Sequence, residues 1–206
     1  SNYSDLQFVH KFFCRFFTAC WGKPQTPRLK KFINLFQAAL FELLKKDISA
    51  VTESEYHTLI SRLQGDLRRH IEKKKYFSDR VRSAVGYSLV LSEVKGEIAF
   101  NENGKPYFLD VPLHFSISHS ENTVIAAISE KNIGADIEKV REIPRGVAER
   151  FFTERERGCD FFEIWTKKEA FGKCKGDMAK AFGTDVCDLS FYTEKYGEYI
   201  IAVYEE

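Results

Sequence analysis

The sequence predicts an α+β fold, in which small, mainly antiparallel sheets pack on helices. Three observations carry this. Apolar residues recur at helical spacing as far as Val90. After Gly96 the texture changes to short apolar segments joined by tight turns. A long helical pattern over residues 154–175 then precedes a closing hairpin. Runs of helix and runs of strand that follow one another in this way belong to the α+β class.

The elements are read in order. Val9, Phe12, Phe13, Phe16, Phe17 and Cys20 have helical spacing over residues 8–21, although so aromatic a run also suits a strand. Gly22-Lys23-Pro24 and Pro27 end it. Residues 28–46 read as an amphipathic helix with Leu29, Phe32, Ile33, Phe36, Ala39, Leu40 and Leu43 on one stripe. Thr52 and Glu55 form a capping box that opens a helix expected to run to about Lys75. The end of that helix is basic: Arg68, Arg69, His70, Lys73, Lys74, Lys75. Ser78-Asp79 is a candidate cap for a further helix carrying Val81, Val85, Leu89 and Val90. Residues 98–101 and 107–109 flank the turn signal Asn103-Gly104-Lys105-Pro106. Residues 114–118, 123–129 and 133–137 read as strands, 144–152 and 154–175 as helices. Residues 187–193 and 199–204 read as a hairpin around Lys195-Tyr196-Gly197.

Composition sets outer limits. The 206 residues are 44% hydrophobic and 30% charged, an ordinary globular balance. A net charge of +1 gives no overall attraction for polyanions, so nucleic acid is not expected as a partner, and phosphate affinity must come from a local basic cluster. The five cysteines, Cys14, Cys20, Cys159, Cys174 and Cys187, include no CxxC pair, which argues against a zinc site or a disulfide framework. No apolar run is long enough to span a bilayer, and the opening residues lack the regions of a signal peptide. A cytoplasmic protein with no membrane association is expected.

Four groups of residues have the types that chemistry needs. On a strand, Asp136 and Glu138 project from one face; two such carboxylates repel unless a cation lies between them, and oxygen ligands suit Mg²⁺. A solvated strand face is the plainer reading of that pair. On a helix, Trp165, Glu169 and Lys173 share a stripe. A surface Glu-Lys pair at this spacing is common and contributes roughly 0.3–0.5 kcal/mol, but a Trp on the same stripe points to a face that is not simply solvated. Ser118, His119 and Ser120 offer donors at a strand end, where a single His is more often structural. Arg69, Lys73, Lys75, Arg80 and Arg82 are either a solvated basic face or a phosphate-binding patch. No P-loop, GxGxxG or Gly-x-Ser-x-Gly motif is present.

In order, the chain reads Arg82-Ser83-Ala84-Val85-Gly86, Gly104-Lys105-Pro106, His114-Phe115-Ser116-Ile117-Ser118-His119-Ser120 and Ile133-Gly134-Ala135-Asp136-Ile137-Glu138. It continues with Arg150-Phe151-Phe152-Thr153-Glu154-Arg155-Glu156 and Trp165-Thr166-Lys167-Lys168-Glu169-Ala170-Phe171-Gly172-Lys173. The ordered set resembles the 4′-phosphopantetheinyl transferase superfamily, Sfp type, over roughly residues 69–176. The resemblance implies transfer of phosphopantetheine from coenzyme A to a serine of an apo acyl, peptidyl or aryl carrier protein. It implies Asp136, Glu138 and Glu169 around Mg²⁺, Glu169 as general base and Lys173 as the cation at the pyrophosphate. It implies Lys105 and Pro106 on the adenine side, Ser118, His119 and Arg82 on phosphates, Arg69 or Lys73 on the 3′-phosphate, and Glu156 as a further carboxylate near the metal.

It further implies two similar halves. Residues 1–110 would hold the basic, coenzyme A-binding helix, and residues 111–206 the metal and catalytic residues, in one monomeric chain. Residues 6–46 look more helical than the family's opening strand. Gly172 interrupts the catalytic helix at a cost of about 1 kcal/mol relative to Ala. Two alternatives use the same residues: a module that binds coenzyme A or carrier protein without catalysis, and a metal-dependent phosphohydrolase built on Asp136 and Glu138.

Overall fold

The computed structural model describes residues 41–143 and 146–206. The pattern over residues 8–21 and most of the stripe over 28–46 lie outside the described residues. The end of that stripe is not helical but a strand, β1, Phe41–Asp47. Its side chains alternate: Leu44 packs on one apolar cluster, Phe41 and Leu43 on another. Every residue of β1 is paired antiparallel with β5, Thr123–Ser129, from Phe41 opposite Ser129 to Asp47 opposite Thr123. That pairing overrides the helical spacing, because a strand's preference is set mainly by its neighbours.

The capping box forms as expected. Glu55 N donates to Thr52 Oγ1 at 3.2 Å, and Thr52 N donates to the Glu55 carboxylate at 2.8 Å. It opens α1, Glu53–Ser61. The single helix expected to reach Lys75 is instead two, since α2, Gly65–Glu72, starts after Gln64 with an extended ψ of 150°. Leu63 is buried at the break, and Gly65 is a poor residue for continuing a helix through it. Next comes α3, Phe77–Glu93, whose N-cap is Tyr76 rather than Ser78 or Asp79; Asp79 lies in the first turn, where a negative charge suits the helix dipole.

The short strands β2, Ile98–Phe100, and β3, Pro106–Phe108, pair with each other around the expected turn. β4, His114–Ser120, completes a three-stranded antiparallel sheet in the order β1-β5-β4. β5 is buried along its whole length. Val124, Ala126 and Ile128 pack with Val81, Val85 and Val90 of α3, while Ile125 and Ala127 pack on the second sheet. That sheet, also antiparallel, is β6 (Ile133–Lys139), β8 (Tyr199–Glu205) and β7 (Tyr192–Tyr196). The closing hairpin is therefore present, with its first strand beginning later than residue 187.

Between the sheets, serine side chains replace a backbone ladder. Ala135 N donates to Ser116 Oγ at 2.9 Å, and Lys139 N donates to Ser120 Oγ at 3.0 Å. Ser116, Ser118 and Ser120 alternate along β4, so all three face β6 and all are buried.

After β6, α4 (Val147–Phe151) and a 3₁₀ turn (Glu156–Gly158) lead to α5, Phe161–Lys175. The helix expected from residue 154 thus begins at Phe161, where the Asp160 side chain caps Glu163 N at 2.9 Å. A short helix not expected from the sequence, α6, Met178–Gly183, follows. Two glycines let these elements approach. A Cβ on Gly134 of β6 would lie 2.0 Å from Ala170 O and 2.4 Å from Cys174 N, so β6 and α5 touch backbone to backbone. A Cβ on Gly172 would lie 2.4 Å from Met178 Sδ, so α6 rests on the helix at the glycine. Among the described residues no helix is long and apolar enough to cross a membrane.

Candidate active site

The contact at Gly134 sets the site. Alternation along β6 sends Ile133, Ala135 and Ile137 into the core shared with β5, and leaves Gly134, Asp136 and Glu138 on the face toward α5. From α5, Glu169 and, one turn later, Lys173 meet this face. Asp136, Glu138 and Glu169 each offer a carboxylate oxygen, and these oxygens lie within 4.8 Å of one another. Lys173 Nζ donates to Asp136 Oδ1 at 2.6 Å and to Ser118 Oγ at 2.8 Å, and Ser118 Oγ donates to the same Asp136 oxygen at 2.7 Å.

The electrostatics follow from three acids facing one directly bonded lysine. Burial pushes the Glu169 carboxyl up to about 7, and the Asp136 charge adds to it; Lys173 and the Trp165 side chain act in the opposite direction. Glu138 is also raised, by burial first and then by Asp136, with Arg141 opposing at 3.6 Å. Asp136 itself is 2% exposed. Its second oxygen, Oδ2, is fully buried and has no hydrogen-bond partner among the described residues. An unpartnered buried carboxylate oxygen, an all-oxygen donor set and an excess of negative charge together fit a hard divalent cation such as Mg²⁺.

The remaining sequence candidates fall into separate places. Ser118 and His119, neighbours in sequence, face opposite ways from β4. Ser118 joins the carboxylates. His119 is on the α3 side, where partial loss of hydration and then the charges of Arg82 and Lys173 hold its imidazole below the usual range. Arg82 Nε donates to Glu121 O at 3.0 Å, and its Nη1 pairs with Asp79 at 3.0 Å. Glu121 has a positive φ of 46°, so Arg82 holds the carbonyl of a strained turn beside His119. Arg69 pairs with Asp66, and Lys73 ends α2; both are exposed. Lys105 Nζ donates to Cys174 O at 3.1 Å and Asn132 Oδ1 at 3.2 Å, and burial lowers its pKa. This ties the β2–β3 hairpin, including Pro106, to the C-terminal carbonyls of α5. Glu156 stands outside the trio, in a wholly buried ion pair with Lys168 at 2.9 Å.

Sequence reading did not single out Lys168, Ser116 or Arg141. The serines at alternate positions of β4 were a usable signal for a shared face. Nothing local marked Lys168 as buried, because lysine is so rarely buried that the exposed reading prevails.

Comparison with known proteins finds a family match over the C-terminal part of the chain. Residues 132–206, which carry Asp136, Glu138, Glu169 and Lys173, match the family model described as the 4′-phosphopantetheinyl transferase superfamily. The chain is 44% identical over 87 residues to the 4′-phosphopantetheinyl transferase gsp of Aneurinibacillus migulanus, covering 37% of this chain and 36% of that protein. It is 33% identical over 147 residues to 4′-phosphopantetheinyl transferase ffp of Bacillus subtilis, and 31% identical over 147 residues to 4′-phosphopantetheinyl transferase Sfp of Bacillus subtilis strain 168. Each match covers 61% of this chain and 66% of the relative. The chain thus spans less than two thirds of the length of these relatives. By its matched motifs and these similarities, the chain is similar to the 4′-phosphopantetheinyl transferase superfamily, Sfp type.

Proposed function

We propose that this protein transfers 4′-phosphopantetheine from coenzyme A to a serine of an apo acyl, peptidyl or aryl carrier protein, releasing 3′,5′-ADP. The observation that carries the reading is the convergence of Asp136, Glu138 and Glu169 within 4.8 Å, with Lys173 bonded to Asp136. The names of the relatives support the reaction class.

In this reading the three carboxylates hold Mg²⁺, which when bound neutralises charge on the pyrophosphate. The protein's own residues do the rest. The carrier serine oxygen forms a bond to the β-phosphorus while the bond from that phosphorus to the leaving 3′,5′-ADP oxygen breaks. Glu169 receives the serine proton, directly or through water, in the role of general base. Lys173 remains beside the charge that grows on the leaving group, where a fixed cation is most useful. Ser118 keeps Lys173 and Asp136 in register. His119 and Arg82, on the other side of β4, serve the phosphates of coenzyme A, and Lys105 and Pro106 its adenine end. Arg69 or Lys73 reaches the 3′-phosphate. Residues before 110, joined by His119, supply the coenzyme A side and the other residues after 110 the chemistry, with the protein acting as a monomer in the cytoplasm and away from membranes and nucleic acid. Glu156, expected near the metal, is instead read as a support for α5.

Mass spectrometry of a panel of apo carrier proteins incubated with coenzyme A and Mg²⁺ tests the proposal. The expected result is a gain of one phosphopantetheine on a single serine. Coenzyme A binding with no transfer to any carrier would favour the non-catalytic module. Release of phosphopantetheine into water with no acceptor would favour a phosphohydrolase.

A further inference from the structure

Lys168 immediately precedes Glu169 on α5, yet its side chain leaves the helix about 100° away, on a side wholly shut from solvent. Its Nζ donates to Thr184 O at 2.8 Å and Ala181 O at 3.3 Å, carbonyls at the C-terminal end of α6, and pairs with Glu156 at 2.9 Å. The Glu156 carboxylate is equally engaged: it accepts from Thr153 N at 2.8 Å and Val186 N at 2.9 Å. Both side chains are fully buried. A buried ion pair is not a good way to gain stability, since apolar residues of similar volume do as well or better. Its use must lie in geometry.

That geometry is a clamp on the roll of α5. The pair ties three stretches of chain to one point on the helix: residues 153–156, the end of α6 and residues 184–186. Met178 presses on the same helix at Gly172. Another side of α5, about 100° to 140° round the helix from Lys168, carries Glu169 and Lys173, whose distances to β6 depend on the roll. We propose that Lys168, through Glu156, is a positioning residue that sets the rotation of α5 and so brings Glu169 and Lys173 into register with Asp136 and Glu138. The inference rests on the transferase reading of the site.

The test compares the full-length wild type with Lys168→Met combined with Glu156→Gln, which removes both charges together. Measured are thermal stability, Mn²⁺ affinity in the presence of coenzyme A, and kcat and KM for coenzyme A. The expected outcome is a folded protein with a melting temperature at or above wild type, Mn²⁺ affinity and kcat each reduced about tenfold or more, and KM within about twofold; metal-site support residues generally act on this scale. Glu156→Asp, which keeps both charges but shortens the reach, is a second variant should the first not fold. It is expected to lose kcat and Mn²⁺ affinity in the same proportion. Wild-type Mn²⁺ affinity and kcat in either folded variant would overturn the proposal and leave the pair merely structural. If the wild type modifies no carrier, the transferase reading fails, while the Mn²⁺ measurement still decides the clamp.

Discussion

Lys173 Nζ sits 2.6 Å from Asp136 Oδ1, joining the middle of a buried strand to the last turns of α5. Asp136 is nearly inaccessible and Lys173 partly so. A charge held this way is stabilised by its partner, and removing the partner leaves it stranded. Lys173→Met is therefore expected to cost roughly 2–3 kcal/mol of stability, allowing for the lysine's partial exposure. It is also expected to lower kcat by about a hundredfold or more, as the loss of one charge-stabilising donor does elsewhere. Denaturant unfolding and single-substrate kinetics check the two effects separately.

Glu169→Gln is expected to weaken metal binding and abolish transfer, and yet to stabilise the metal-free protein above neutral pH. The sign follows from the direction of the shift. Glu169 titrates near 7 in the folded protein against an ordinary value of 4.5. Whatever stability is present below pH 4.5 is progressively lost as pH rises through 7, where a third negative charge is forced beside two others. The Gln variant has no such loss. Its unfolding free energy in chelator should match wild type near pH 4 and exceed it near pH 8, by about 3 kcal/mol at most. A wild-type advantage at both pH values would contradict this.

The two glycines of the α5 interface separate sharply. Gly134→Ala drives a methyl into the Ala170 carbonyl and the Cys174 amide, which are backbone and cannot step aside. It is expected to cost about 3 kcal/mol or more and to displace Glu169 from β6. Gly172→Ala meets chiefly the end of Met178, a flexible side chain. A gain of about 1 kcal/mol in helix propensity offsets that contact, so a change within about 1 kcal/mol of wild type is expected. Thermal melts of both variants give the comparison directly.

Ser118 and His119 should part company when mutated, because they face opposite sides of β4. Ser118→Ala removes hydrogen bonds to Asp136 and Lys173. It is expected to weaken Mn²⁺ binding several-fold and cost about 1 kcal/mol in stability. His119→Ala should leave Mn²⁺ affinity unchanged and raise KM for coenzyme A. Equal effects of both on metal binding would contradict the arrangement.

Much of this site was legible because strand alternation is a strong local rule. It put Asp136 and Glu138 on one face, and the Thr52–Glu55 box and the β2–β3 turn also formed as read. The misreadings share a cause. β1 carried helical spacing but was claimed by pairing with β5, a partner about eighty residues away in sequence that no local window sees. The break at Gln64-Gly65 was overlooked within a charged, helix-favouring run. Gly172 looked like a defect until α6, unforeseen, was found resting on it. No local signal marks Lys168 as buried, because burial of a lysine needs a carboxylate and carbonyls assembled from distant segments.

The most direct test is to titrate Mg²⁺ or Mn²⁺ into the coenzyme A complex by calorimetry, for wild type and for Asp136→Asn, Glu138→Gln and Glu169→Gln. One ion per wild-type chain, with binding weakened about tenfold or more by each substitution, is the expected result. Unchanged affinity in all three variants, or no metal binding by the wild type, would contradict the account.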